Sequence, residues 1–154
     1  MEENYSKKIR ILSFQNAHNF GAILQAYGLQ QTIRSMGYKD VKFINYNPKY
    51  LSDRYNPYAW ANIKPVQLSL RSIIGKIIRY PAYFISAIRR NRAFNSSIDR
   101  LLKQTARRVT KEADLINEEY DVLVCGSDQI WNTALTGTFD PVFMAQGPYK
   151  KRGF

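Results

Sequence analysis

D-V-L-V-C-G-S-D-Q-I-W-N, residues Asp121 to Asn132, sets four apolar residues (Val122 to Cys125) directly before Gly126, then Ser127, Asp128 and Gln129, then Ile130 and Trp131. A short, wholly apolar run with charge before it and glycine after it predicts a strand buried on both faces, as in a parallel sheet. The polar cluster then falls at that strand's carboxyl end. In open α/β sheets this edge binds ligands, because helices close both faces and leave only the loops to line a crevice. The same residues also suit a plain turn, with Asp128 capping the next element and Trp131 in the core. Spacing alone does not choose between the two.

Working outward, Lys8 to Phe14 (K-I-R-I-L-S-F) predicts a first strand, and Gln15 to Gly21 a polar turn. From Ala22 the period changes: Ala22, Ala26, Leu29, Ile33 and Met36 recur at helical spacing, with Ile23 and Tyr27 widening the stripe. Gly37 follows as a helix stop. Val41 to Tyr46 then predicts a second strand, ended by Asn47-Pro48. Strand, helix and strand in succession make a βαβ unit, so the expected fold is α/β, a Rossmann-like parallel sheet with helices on both faces. Residues 47 to 66 read as a long loop, and Leu68 to Ile78 as a helix that Pro81 interrupts. A second helical pattern runs through Tyr83, Phe84, Ala87 and Ile88, and continues at Ile98, Leu101 and Leu102. Glu112 to Glu119 suits a short acidic helix or turn. Thr136-Gly137-Thr138 and Asp140-Pro141 are turn signals before a basic tail, Lys150 to Arg152.

Composition sets the outer limits. At 154 residues, 45% of them apolar and with 11 Tyr and 8 Phe, the chain is long enough to build a core. Its single cysteine, Cys125, excludes a disulfide framework and a thiolate zinc site, so the expected compartment is the cytoplasm and no metal is expected. The N-terminus has no secretory signal pattern, and no apolar run approaches the ~20 residues of a membrane span. Charge is unevenly placed: Lys64 to Lys111 holds twelve basic residues against one acid, Asp99, which accounts for the whole net charge of +11. Any anionic partner is therefore met by this basic helical segment, about 64-111. An apolar stripe flanked by arginine suits peripheral contact with an anionic membrane, or packing on the sheet with the arginines solvated. Nothing resembles a nucleic-acid recognition element, and the first turn lacks the dinucleotide pattern of glycines.

Two motifs converge on a family. Asn19 to Gln30 (N-F-G-A-I-L-Q-A-Y-G-L-Q) and Tyr120 to Asn132 (Y-D-V-L-V-C-G-S-D-Q-I-W-N), in this order and spacing, resemble the N-terminal portion of the polysaccharide pyruvyl transferase family. The resemblance covers essentially the whole chain, with the basic segment its most variable part. It implies the N-terminal half of a glycosyltransferase-B-like two-domain architecture, residues 1-154 being an incomplete Rossmann-like domain whose C-terminal domain is absent. The implied activity moves a pyruvyl group from phosphoenolpyruvate, the donor substrate, to sugar hydroxyls of a surface glycan or its lipid-linked precursor. The donor-binding Arg and His residues are expected on the C-terminal half. The isolated chain is accordingly expected to be inactive or weakly active, with a separate C-terminal domain as a possible partner. No cofactor is implied. A non-catalytic basic module docking on a membrane or on such a partner is the alternative.

Ketal formation from an enol phosphate needs a proton at the methylene carbon, stabilisation of the cationic carbon, and a base for the attacking hydroxyl. Asp128 is the one carboxylate of the Gly-Ser-Asp-Gln cluster and is nominated as the catalytic base or hydroxyl holder. Gly126, Ser127 and Gln129 are nominated to orient the sugar, and Trp131 to stack on it. Asn19, Gly21 and Gln25 would line the same crevice, Gly21 by close backbone approach; a helix cap and tight turn explain Asn19 and Gly21 equally well. His18, the sole histidine, is expected to be solvated in its polar loop. Many members of the family carry His where this chain has Gln15, which removes an acid-base group from that loop.

Overall fold

In a computed structural model, which describes residues 6–55, 70–126, 130, 132 and 140–146, the chain forms a three-stranded parallel sheet with helices. Strand β1 (Lys8–Leu12) is followed by helix α1 (Phe20–Ser35), β2 (Asp40–Phe43), a short helix α2 (Lys49–Arg54) and a long helix α3 (Leu70–Leu101). A 3-10 helix (Glu112–Asn117), β3 (Val122–Cys125) and a second 3-10 helix (Pro141–Met144) complete the described elements. The spatial order is β2-β1-β3, with Ile9 opposite Val41 on one side and Val122 on the other. Beyond β2, residues 103–109 run alongside as an irregular fourth strand. Phe43 N–H donates to Lys103 O at 2.8 Å, and Val109 N–H to Asn45 O at 2.9 Å.

The period-2 alternation of the strands divides the core in two. Ile9, Ile11, Val41 and Phe43 face α1 (Ile23, Ala26) and the C-terminal part of α3 (Phe94, Ile98), with Leu102 closing that layer. Leu12 and Ile44 face the other way, onto Leu51 of α2, Leu115 of the first 3-10 helix, and Ile130, Val142 and Phe143. Arg10 shares that second face, and its buried charge is met by Asp40 at 3.0 Å. The hydrogen bond from Arg10 holds the Asp40 carboxyl below its usual range.

Helix α1 begins and ends as its residues dictate. The Asn19 side chain accepts from Gly21 N–H at 2.8 Å, and Gly37, at φ 100°, takes the left-handed position that stops the helix. Three expectations change. Pro81 does not end a helix: α3 runs continuously for 32 residues, since a proline removes one backbone bond and the turns on either side carry the segment through it. Strand β3 is not buried on both faces. Among the described residues it pairs only with β1, so Val122 and Cys125 are exposed and Leu123 and Val124 half-buried. Within the expected loop 47 to 66, Pro48 starts α2, whose Leu51 is fully buried; residues 56–69 lie outside the description, as do 136–138 and the basic tail. No helix among the described residues is long and apolar enough to cross a membrane.

Candidate functional site

The chain leaves β1, pairs next on one side through β2, and returns to the other side through β3. The strand order therefore reverses between β1 and β3, the kind of switch point at which open α/β sheets take ligands. Gly126 N–H donates to Leu12 O at 3.0 Å, which puts the two exits side by side. Gly126 is also a packing glycine: a Cβ there would lie 3.0 Å from Leu29 Cδ2 of α1. Asn19 and Gly21 sit at the exit of β1 and are exposed, Asn19 serving as the α1 cap; a Cβ on Gly21 would lie 3.2 Å from the capping oxygen. Gln25 is exposed on α1, on the side away from the buried stripe of Ile23 and Ala26. Ser127, Asp128, Gln129 and Trp131 lie outside the described residues. Their neighbour Ile130 is buried in the core beneath the edge.

On the β2 side of the same edge is a cavity of about 290 Å³. The loop after β1 contributes Asn16 and His18, the segment after β2 Asn47, helix α3 Asn91 and Asn95, and the irregular fourth strand Arg108. Several of these side chains are held by the backbone: Asn16 Nδ2 donates to Tyr46 O at 3.0 Å, and Asn91 Nδ2 to Tyr55 O at 2.7 Å. His18 is not solvated as expected. Its ring stacks between Tyr55 and Phe94, with centroids at 4.3 and 5.1 Å, because the loop folds back over α3 and these two rings offer it apolar faces. Burial, and then the positive charge of Arg90, lower its pKa, while hydrogen bonding to Asn95 and Asn91 acts the other way. The imidazole is therefore neutral at pH 7. His18 Nδ1 and Asn47 Oδ1 are buried and have no hydrogen-bond partner among the described residues. Asp53, also on the lining, is paired with Lys49 at 2.5 Å, whereas no carboxylate among the described residues pairs with Arg108.

Two glutamines of this region are structural. Gln15 is fully buried and donates to Ile44 O at 2.9 Å, tying the exit of β1 to that of β2. Gln30, inside the first motif, donates to Val41 O and Lys103 O and accepts from Lys103 N–H, fastening α1 to β2 and the fourth strand. The cavity was not anticipated from the residues. Its one local trace is Asn91 and Asn95, four apart and so on one face of α3.

A model of the polysaccharide pyruvyl transferase family matches residues 19–152 of the 154. The chain belongs to that family. Comparison with curated proteins and with solved structures yields no match. For a polysaccharide pyruvyl transferase, the position of the two motifs is informative: the match begins at the α1 cap, Asn19, and includes the segment leaving β3, so both motifs attach to the two strands that flank the switch point.

Proposed function

We propose that the chain provides the acceptor side of a pyruvyl transferase acting on the hydroxyls of a surface glycan or its lipid-linked precursor, with phosphoenolpyruvate as donor. The observation that carries this reading is the strand order β2-β1-β3, in which the two family motifs leave adjacent strands at the edge where α/β sheets take ligands. In the reaction the enol carbon of phosphoenolpyruvate gains bonds to two sugar oxygens and loses its bond to phosphate. One hydroxyl proton reaches the methylene carbon, which becomes methyl, and the other leaves with phosphate. Asp128 is the proposed base for an attacking hydroxyl. Ser127 and Gln129 would hold the sugar, Trp131 would cover its apolar face, and Asn19, Gly21, Gln25 and Gly126 would form the crevice wall. Incubation of the purified chain with phosphoenolpyruvate and candidate glycans tests the reading. As an acceptor side alone, the chain is expected to bind the glycan while releasing little or no phosphate; robust phosphate release would show that it holds a complete donor site. Weaker glycan binding in Asp128→Asn, with unchanged folding, would support the assignment of Asp128; no binding of any surface glycan or lipid-linked precursor removes the acceptor reading.

A second reading has its own support: Arg89, Arg90, Arg92 and Arg100 are all exposed on α3. They suit contact with an anionic surface at the inner face of the membrane, worth ~1 kcal/mol per basic residue near the surface. Within the described part of α3 Ala87, Phe94 and Ile98 are buried in the core while Ile85 and Leu101 are exposed, so this contact would be mainly electrostatic and weakened in high salt. Co-sedimentation with phosphatidylserine vesicles at low and high salt decides: failure to bind at low salt ends this second reading.

A further inference from the structure

We infer that the asparagine-lined cavity between the exits of β1 and β2 is a subsite for a single acidic sugar ring, a pyranose bearing a carboxylate or a phosphate. Its volume, about 290 Å³, stands at the lower end of small-molecule sites and suits one ring rather than an oligomer. Its lining selects the chemistry. Small-molecule pockets are ordinarily apolar with a few polar groups, whereas this one presents Asn16, Asn47, Asn91, Asn95 and an imidazole. Asn47 Oδ1 is a buried acceptor without a partner among the described residues, and requires a donor. His18 Nδ1, equally buried and unpartnered, is a donor or an acceptor according to the tautomer. A hydroxyl, which both donates and accepts, satisfies either atom, and a ring that carries several hydroxyls can serve both segments at once. Charge supplies the second half of the specificity. Asp53 is paired with Lys49, and the cation on the cavity's lining is Arg108, which no carboxylate among the described residues engages and whose planar fork matches a carboxylate or phosphate.

The subsite is distinct from the switch-point crevice, but the loop after β1 borders both. A polymer seated in the crevice could therefore place a neighbouring residue in the cavity. That assignment to the acceptor rests on the transferase reading; the binding itself does not. His18 is the sole histidine, so its ring protons report on the cavity alone in a proton NMR spectrum. The full chain is titrated at constant pH, without phosphoenolpyruvate, with the uronic acids and 6-phosphates of glucose, galactose and mannose, with the three parent hexoses, and with inorganic phosphate. At least one acidic sugar is expected to shift the His18 resonances saturably, its parent hexose binding about tenfold more weakly or less, as loss of a charged hydrogen bond predicts. The uronate and phosphate arms show which anion is preferred. Arg108→Gln, at an exposed position, is expected to bring the acidic sugar down to the affinity of the hexose, and Asn95→Ala, also exposed, to weaken both. Silence of His18 toward every sugar, inorganic phosphate binding as tightly as the sugar phosphates, or an acidic-sugar affinity unchanged in Arg108→Gln would each overturn the inference. Acidic-sugar binding in a chain that binds no candidate glycan polymer would count against the transferase reading alone. Glycan polymer binding with a silent His18 would count against the subsite alone.

Discussion

At the scale of single residues, His18 shows how a side chain's surroundings replace its ordinary behaviour. Held between Tyr55 and Phe94 and near Arg90, it has a folded-state pKa below the ordinary value of 6.5, so between these two values the unfolded chain binds more protons than the folded one. Stability therefore rises with pH through this range: the contribution is complete above about pH 6.5 and is lost as the pH falls below it. His18→Phe keeps a ring in the stack and removes the titration. Its unfolding midpoint is expected to fall less than that of the unchanged chain between about pH 7.5 and about pH 5, measured by thermal denaturation. The same scale separates residues that look alike in the sequence. Asn19 caps a helix, Asn47 turns an unpartnered oxygen into the cavity lining, and Gln15 is a buried tie between two strand exits. In the sequence Asn19 is a cap or a crevice residue, Asn47 the stop of a strand and Gln15 part of a polar turn. Burial and partners, which sorted them, are not properties of the local sequence.

At the scale of elements, two polar devices hold the layers in register. Gln30 makes three hydrogen bonds from α1 to β2 and to Lys103, seventy-three residues away. Gln30→Leu leaves those backbone groups without partners, and is expected to cost roughly 2–4 kcal/mol in urea denaturation. Gln30→Glu is expected to be at least as damaging, because it turns a carboxylate oxygen toward two carbonyls. The second device is Asp140. One oxygen accepts from Tyr46 at 3.0 Å and from Tyr50 at 2.6 Å, while the other caps the second 3-10 helix by accepting from Val142 N–H at 3.0 Å. Burial and then the Asp140 interactions raise both phenol pKa values, so the tyrosines remain donors throughout the range in which the protein is handled. Asp140→Ala is expected to cost roughly 2–3 kcal/mol, more than Tyr46→Phe or Tyr50→Phe at about 1 kcal/mol each, by the same measurement. The Asp140-Pro141 turn was legible in the sequence. The phenols that converge on it, some ninety residues earlier, were not.

At the scale of the whole molecule, both hydrophobic clusters lie on opposite faces of one sheet and share β1, so neither can be lost alone. Phe43 and Phe143 are fully buried, one on each face. Replacing either with alanine is expected to cost about 3–5 kcal/mol and to lower one common transition, with circular dichroism and tyrosine fluorescence coinciding; two separate transitions would show that the faces unfold independently. What the sequence determined by itself was the frame: parallel α/β class, the cores of β1, α1, β2 and β3, the Asn19 cap, the Gly37 stop and the family. These follow from period, caps and motifs, whose physics acts within a turn or a strand. Tertiary structure alone decided that β1 is central and β3 exposed, that α3 passes through Pro81, that His18 is stacked, and that Asn16, Asn47, Asn91, Asn95 and Arg108 share one cavity. Strand order and the meeting of side chains ninety positions apart depend on which surfaces bury one another, and that is settled by packing across the sheet rather than by any residue's neighbours in the chain.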